Sequence, residues 1–200
     1  TVTPSLDFNG DILVSVTVSD SQASDSGSFT LVITSVNDAP VISTIPDQTI
    51  NEDESITIDL FASDVDGDSL TFSATADSGT VSVDGSTLTV TPDADYNGSI
   101  AVDVSVTDGS ESVSTSFTLT VNPVNDAPVL GDLADGATDE DTSFSVDLTA
   151  SDVDGDALSY FAQVDGNGTV SVDGSTLTVT PSLDFNGDIE VTITVSDGSL

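Results

Sequence analysis

Residues 99–107, Ser99-Ile100-Ala101-Val102-Asp103-Val104-Ser105-Val106-Thr107, alternate apolar and polar side chains without a break. In an extended chain successive side chains point to opposite faces. Ile100, Val102, Val104 and Val106 therefore share one face, and Ala101, Asp103, Ser105 and Thr107 the other. That is the pattern of a half-buried strand. The next strand repeats it with Phe117, Leu119 and Val121. Upstream, Ile56, Ile58 and Leu60 alternate with Thr57 and Asp59. Asp84-Gly85, set between Thr80–Val83 and Ser86–Thr91, predicts a two-residue hairpin turn with positive φ at both central positions. Val41–Ile50 predicts a first strand interrupted by Pro46, which an edge tolerates. No segment has helical periodicity. Seven short strands with regular turn signals predict an all-β fold of tandem immunoglobulin-like sandwiches.

Internal similarity sets the domain plan. Asn37-Asp38-Ala39-Pro40 returns 88 residues later as Asn125-Asp126-Ala127-Pro128, and Asp64-Val65-Asp66-Gly67-Asp68 returns as Asp152-Val153-Asp154-Gly155-Asp156. The twelve residues 1–12 return unchanged at 178–189. The expected organisation is the C-terminal part of one repeat (1–36), a complete repeat (37–124), and a third repeat (125–200) lacking its last strand. The sequence thus reads as a window on a longer array, with any export signal expected outside it.

Composition excludes more chemistry than it suggests. The 200 residues contain no Lys, Arg, His or Cys, and the 36 acids give a formal charge of −36. Nucleic acid is excluded as a partner, because phosphate binding needs Lys and Arg. An anionic membrane surface is excluded by the same sign, and no apolar run reaches the length of a membrane span. Thiolate, imidazole and amine nucleophiles are absent with their residues, as are the usual nitrogen and sulfur ligands of zinc, copper and iron. With 36% hydrophobic residues and a mean hydropathy of +0.13, the chain is no disordered acidic tail. Oxygen chemistry remains.

The acids concentrate in turns. Counting strand reversals brings Glu52, Asp53, Glu54, Asp93 and Asp95 to the exit end of the middle repeat. Stacking the next repeat below adds Asn125 and Asp126 from the linker, with Asp152, Asp154, Asp156 and Asp197. Carboxylates about 4 Å apart repel by about 1 kcal/mol in water and by more at a partly buried interface. A multivalent cation would neutralise such a junction. Calcium suits it, since it accepts six to eight oxygen ligands in irregular geometry.

These residues resemble cadherin-like tandem repeats, in particular the Val-Asn-Asp-Ala-Pro repeats in the extender regions of giant bacterial RTX adhesins. The Glu-bearing turn, the Asp-bearing turn before the sixth strand, the Asn-Asp linker, the Asp-x-Asp string and the Asp after the sixth strand correspond in kind and order. The resemblance implies calcium ligation by Glu52, Asp95, Asn125, Asp126, Asp152, Asp154 and Asp197. For the preceding junction it implies the same role for Asp7, Asn37, Asp38, Asp64, Asp66 and Asp108. The linker is shorter than a cadherin's, and Asp7 and Asp184 stand alone in their turns, so fewer ions per junction are expected.

Asp84, Asp173, Asp77 and Asp165 suit turns for local reasons. An EF-hand reading of the Asp-x-Asp-Gly-Asp string fails, because its twelfth position is Thr75 or Gln163. Asp25-Ser26-Gly27 and Asp77-Ser78-Gly79 occupy unrelated turns and form no protease dyad. Acidity serving solubility alone would spread along strand faces, whereas Ser86–Thr91 and Ser112–Val121 carry only Ser and Thr on the polar face and most acids sit in loops, Asp59 and Asp103 being exceptions. The expectation is a non-enzymatic, calcium-rigidified stalk segment of an exported bacterial cell-surface adhesin, with neighbouring repeats as partners. The alternatives are a self-assembling subunit of an extracellular filament, with like chains as partners, and a weak carbohydrate-binding module.

Overall fold

The computed structural model describes residues 1–199. The chain divides into two compact units, Thr1–Asn122 and Pro123–Leu200. Both are built from strands, and no helix occurs among the described residues.

The first unit begins with β1 (Gly10–Ser19) and β2 (Ser24–Ile33), an antiparallel ribbon of ten residue pairs. The sandwich that follows has nine strands in place of the expected seven. They are β3 (Val41–Ile42), β4 (Gln48–Asn51), β5 (Ile56–Asp59), β6 (Ala62–Ser63), β7 (Thr71–Ala76), β8 (Thr80–Asp84), β9 (Thr87–Thr91), β10 (Gly98–Thr107) and β11 (Ser112–Asn122). The expected first strand, Val41–Ile50, is two pieces: β3 pairs antiparallel with β6, and β4 pairs parallel with β11. Pro46 lies in the gap and has no N–H to donate to a ladder, so the chain changes sheets there. One layer is then β5-β9-β8 with β3-β6, and the other is β4-β11-β10-β7.

The alternation at residues 99–107 does what its period requires. Ile100, Val102, Val104 and Val106 are buried, and the first three share one core with Phe117, Leu119 and Val121 of the neighbouring β11 and with Leu88 and Val90 of β9 in the opposite layer. The hairpin between β8 and β9 departs by one residue from expectation. Asp84 pairs with Thr87, so the central residues are Gly85 and Ser86, and of these Gly85 alone has positive φ, at 59°. A glycine first and an ordinary residue second is the pattern of a II′ turn, in place of the I′ turn that an Asp-Gly centre would form.

The second unit repeats the plan with β12 (Val129–Leu130), β13 (Phe144–Asp147), β14 (Ala150–Ser151), β15 (Ser159–Val164), β16 (Gly168–Asp173), β17 (Thr176–Pro181) and β18 (Val191–Ser196). Its sheets are β13-β17-β16, β15-β18 and β12-β14. Leu148, Leu177 and Val179 form a smaller buried cluster.

Candidate metal centre

The acids of interest gather where the chain enters each sandwich. In the first unit, Asn37 and Asp38 lie just before β3, Asp64 and Asp66 just after β6, and Asp108 in the turn after β10. The Asn37 side-chain amide donates to Asp108 Oδ2 at 2.9 Å. The Asp38 backbone N–H donates to Asp66 Oδ2 at 2.8 Å. Asp64 Oδ1 accepts from the N–H groups of Asp66 at 2.9 Å and Asp68 at 3.2 Å. This is the local turn chemistry that Asp favours. It engages one oxygen and leaves the other, Asp64 Oδ2, buried without a hydrogen-bond partner.

The second unit builds the same arrangement from the equivalent residues. The Asn125 amide donates to Asp197 Oδ2 at 2.7 Å, Asp126 N–H to Asp154 Oδ2 at 2.8 Å, and Asp156 N–H to Asp152 Oδ1 at 3.2 Å. Asp152 Oδ2 is again buried and without a partner. Asp64, Asp66 and Asp68 each bring a carboxylate oxygen within 4.8 Å of the others, and so do Asp152, Asp154 and Asp156. The third member of each trio, Asp68 or Asp156, was not among the expected ligands. Gly67, at φ 80°, turns the chain so that Asp68 comes back onto Asp64. The Gly-Asp that closes the string is the signal for it.

Charge accumulates here. Asp38 is pushed above the usual aspartate range by desolvation first, then by the charges of Asp7, Asp66 and Asp64. Asp7, from the turn before β1, is thereby placed within electrostatic reach of this group. Asp108 is held below the usual range by the Glu111 N–H first, then by the Asn37 amide and the Ser110 N–H.

At the exit end of the first unit, Asn51 of β4 lies beside Asn122 of β11. Glu52 follows, 3% exposed, with its N–H donating to Asn122 O at 2.9 Å. Asp95 N–H donates to Asp53 Oδ1 at 3.3 Å, and both residues take left-handed backbone, with φ of 55° and 62°. The second unit repeats that contact between Asp184 and Asp141 at 2.9 Å. Of the expected lower junction, Glu52 and Asp95 thus belong to the first unit, and Asn125, Asp126, Asp152, Asp154 and Asp197 to the second.

The donor set fits calcium. Oxygens on opposite sides of a Ca²⁺ ion lie about 4.6–5.2 Å apart, given ligand distances of 2.3–2.6 Å. In each trio the three oxygens lie within 4.8 Å of one another, close enough to share one such ion. A buried carboxylate oxygen without a partner costs at least about 1–3 kcal/mol, and a cation at Asp64 Oδ2 or Asp152 Oδ2 would remove that cost.

Residues 37–122 and 125–200 match a family described as bacterial Ig domain. The chain belongs to the bacterial Ig domain family. A chitinase A from Pseudoalteromonas piscicida is 33% identical over 167 residues, which is 81% of this chain and 20% of that protein. This bacterial Ig domain chain therefore spans about a fifth of that relative's length, and the Ig-like fold itself is non-catalytic. Among solved structures, a protocadherin fragment, PcdhgB3 EC1-4, matches with a TM-score of 0.54 at 12% identity, covering 94% of this chain and 53% of that one. Mouse protocadherin-24 EC1-3 matches with a TM-score of 0.49 at 13% identity, covering 98% and 76%. The first of these likenesses shows a fold of cadherin-like, Ig-like sandwiches.

Proposed function

We propose that this chain is a calcium-binding extender segment of an exported bacterial surface protein, which holds a terminal binding domain away from the cell. The reading is carried by the paired Asp64 Oδ2 and Asp152 Oδ2, buried and partnerless in two matching acidic groups. Calcium supplies charge neutralisation and a shared coordination centre; the chain supplies the oxygens. Asp64, Asp66 and Asp108, with Asn37, Asp38 and Asp7, hold one ion group. Asp152 and Asp154, with Asn125, Asp126 and Asp197, hold the other, and Glu52 and Asp95 are proposed as further ligands at the exit end of the first unit. Turn hydrogen bonds preset several of these carboxylates, so binding orders little that is not already ordered. The domain boundaries proposed are 36/37 and 124/125. Membership in a bacterial Ig family supports a surface or extracellular location, where calcium meets the roughly 10⁻⁴–10⁻³ M affinities of extracellular modules. Calorimetric calcium titration of the whole chain tests the reading. Saturable heat is expected, together with a scattering profile that loses stiffness in chelator. Absence of both overturns it.

The relative named chitinase favours a second reading, a spacer or weak sugar-binding module beside a carbohydrate-active domain. Retention on insoluble chitin, lost on Phe or Tyr substitution, would support it.

A further inference from the structure

Each sandwich opens with a short strap of chain. In the first unit it runs from Asn37 through β3 to Ile45. Its ladder with β6 has two residue pairs, after which Ser43 N–H donates to Phe61 O at 2.8 Å. Pro40 is fully buried, and Ile42 and Ile45 pack against the core. The start of the strap is held through carboxylates: Asp38 N–H donates to Asp66 Oδ2 at 2.8 Å, and the Asn37 amide to Asp108 Oδ2 at 2.9 Å. The second unit repeats these fastenings. Asp126 N–H donates to Asp154 Oδ2 at 2.8 Å, the Asn125 amide to Asp197 Oδ2 at 2.7 Å, and Gly131 N–H to Thr149 O at 2.7 Å.

Asp66 serves two arrangements at once. It accepts the strap's N–H, and it belongs with Asp64 and Asp68 to the trio whose oxygens lie within 4.8 Å of one another. Asp154 has the same double place in the second unit. An ion held by the trio fixes the carboxylate that receives the strap. Docking the strap in turn brings Asp38 up to Asp7, Asp66 and Asp64, whose charges act against its own. Without a cation those like charges oppose docking. With one, Asp38 adds an oxygen to its shell. The ion thus binds the docked state better than the open one, which is what any ligand-driven shift requires. We infer that ion occupancy controls docking of the entry strap of each unit, through Asp66 in the first and Asp154 in the second. The inference rests on the calcium site proposed for the same residues. Opening is local: the strap lifts while the ten pairs of β10 with β11 stay closed.

The test is amide hydrogen exchange of the whole chain, followed by NMR in chelator and in calcium at ten times the calorimetric dissociation constant. In chelator, Asp38 and Ser43 should exchange faster than Val102 and Val104 of β10. Calcium should slow Asp38 and Ser43, and their counterparts Asp126 and Gly131, by about tenfold, the factor by which such a ligand lowers the open population. Asp64→Asn removes one ion oxygen and touches neither strap bond. It should abolish the response at Asp38 and Ser43 and leave it at Asp126 and Gly131. Strap amides as slow in chelator as those of Val102 and Val104 overturn the inference, because no separate opening then exists. Saturable calcium heat with strap exchange unchanged overturns it too and leaves the calcium site standing. Absence of saturable heat overturns the calcium site and the inference with it.

Discussion

The ribbon β1–β2 and the hairpin β10–β11 are nearly the same peptide in two surroundings. Both pair ten residues in the same register, with Val14 opposite Phe29 as Val102 is opposite Phe117. Their burial is opposite: Val18 is 68% exposed and Val106 1%, and Phe29 is 55% exposed against 4% for Phe117. Alternation and cross-strand matching set the ladder in each case. In the second case residues of β4, β5, β7, β8 and β9, with Leu60, pack against it and turn one apolar face into a core. Local pattern specifies pairing, and the free energy of burial comes from what packs on top.

The largest effect should separate these two hairpins. Leu119→Ala should lower unfolding free energy by about 2–5 kcal/mol, as for a buried leucine. Leu31→Ala, at the equivalent position, should stay below about 1 kcal/mol. Denaturant unfolding of both variants checks this, and equal losses would break the comparison.

Next in size is metal. Calcium at ten times its dissociation constant should add about 1.4 kcal/mol per site, seen as a rise in melting temperature of several degrees. Asp64→Asn should remove that response at its own group and leave the group at Asp152 intact, because the two belong to separate units. Calorimetric stoichiometry should then fall while the remaining site titrates normally.

Of similar size is an effect at the II′ turn. Gly85→Ala should cost about 1–2 kcal/mol, because a Cβ at φ 59° meets the left-handed penalty. Gly174→Ala, at φ 61°, should match it in the second unit. Urea midpoints would show the difference.

The smallest effect is on acid response. Asp108 has a lowered folded-state pKa, so its contribution is complete above the unfolded value of about 3.9 and is lost as pH falls through the folded value below it. Asp38 is raised, so any stability it adds exists below about 3.9 and disappears as pH rises through its folded value. Carboxyl NMR titration in chelator should therefore find Asp38 titrating above Asp108, and the reverse order would contradict the arrangement of their partners.

Much of this was legible from the chain alone, for reasons that differ by element. β10 and β11 could be read because their alternation is local and uninterrupted. Pro46 marked a break but not its outcome, because the change of sheet depends on β6 and β11, distant in sequence. The turn at Gly85 was misplaced by one residue because Asp-Gly favours one turn type, while the pairing of Asp84 with Thr87 imposes another. At the acidic groups, the 88-residue repeat exposed Asp64 with Asp152 and Asn37 with Asn125. The return of Asp68 onto Asp64 was not legible, since it rests on the backbone angle of Gly67.

The parallel pairing of β4 with β11 has one more consequence. Tension applied to the first unit through residue 37 and Asn122 draws β4 toward the entry end and β11 toward the exit end. The short β3–β6 contact yields first, with its two residue pairs. The four pairs from Leu119↔Gln48 to Asn122↔Asn51 are then loaded in shear and must give way together, not peel open one after another. A sheet edge that looks minor at rest is thus the fastening that resists being pulled apart.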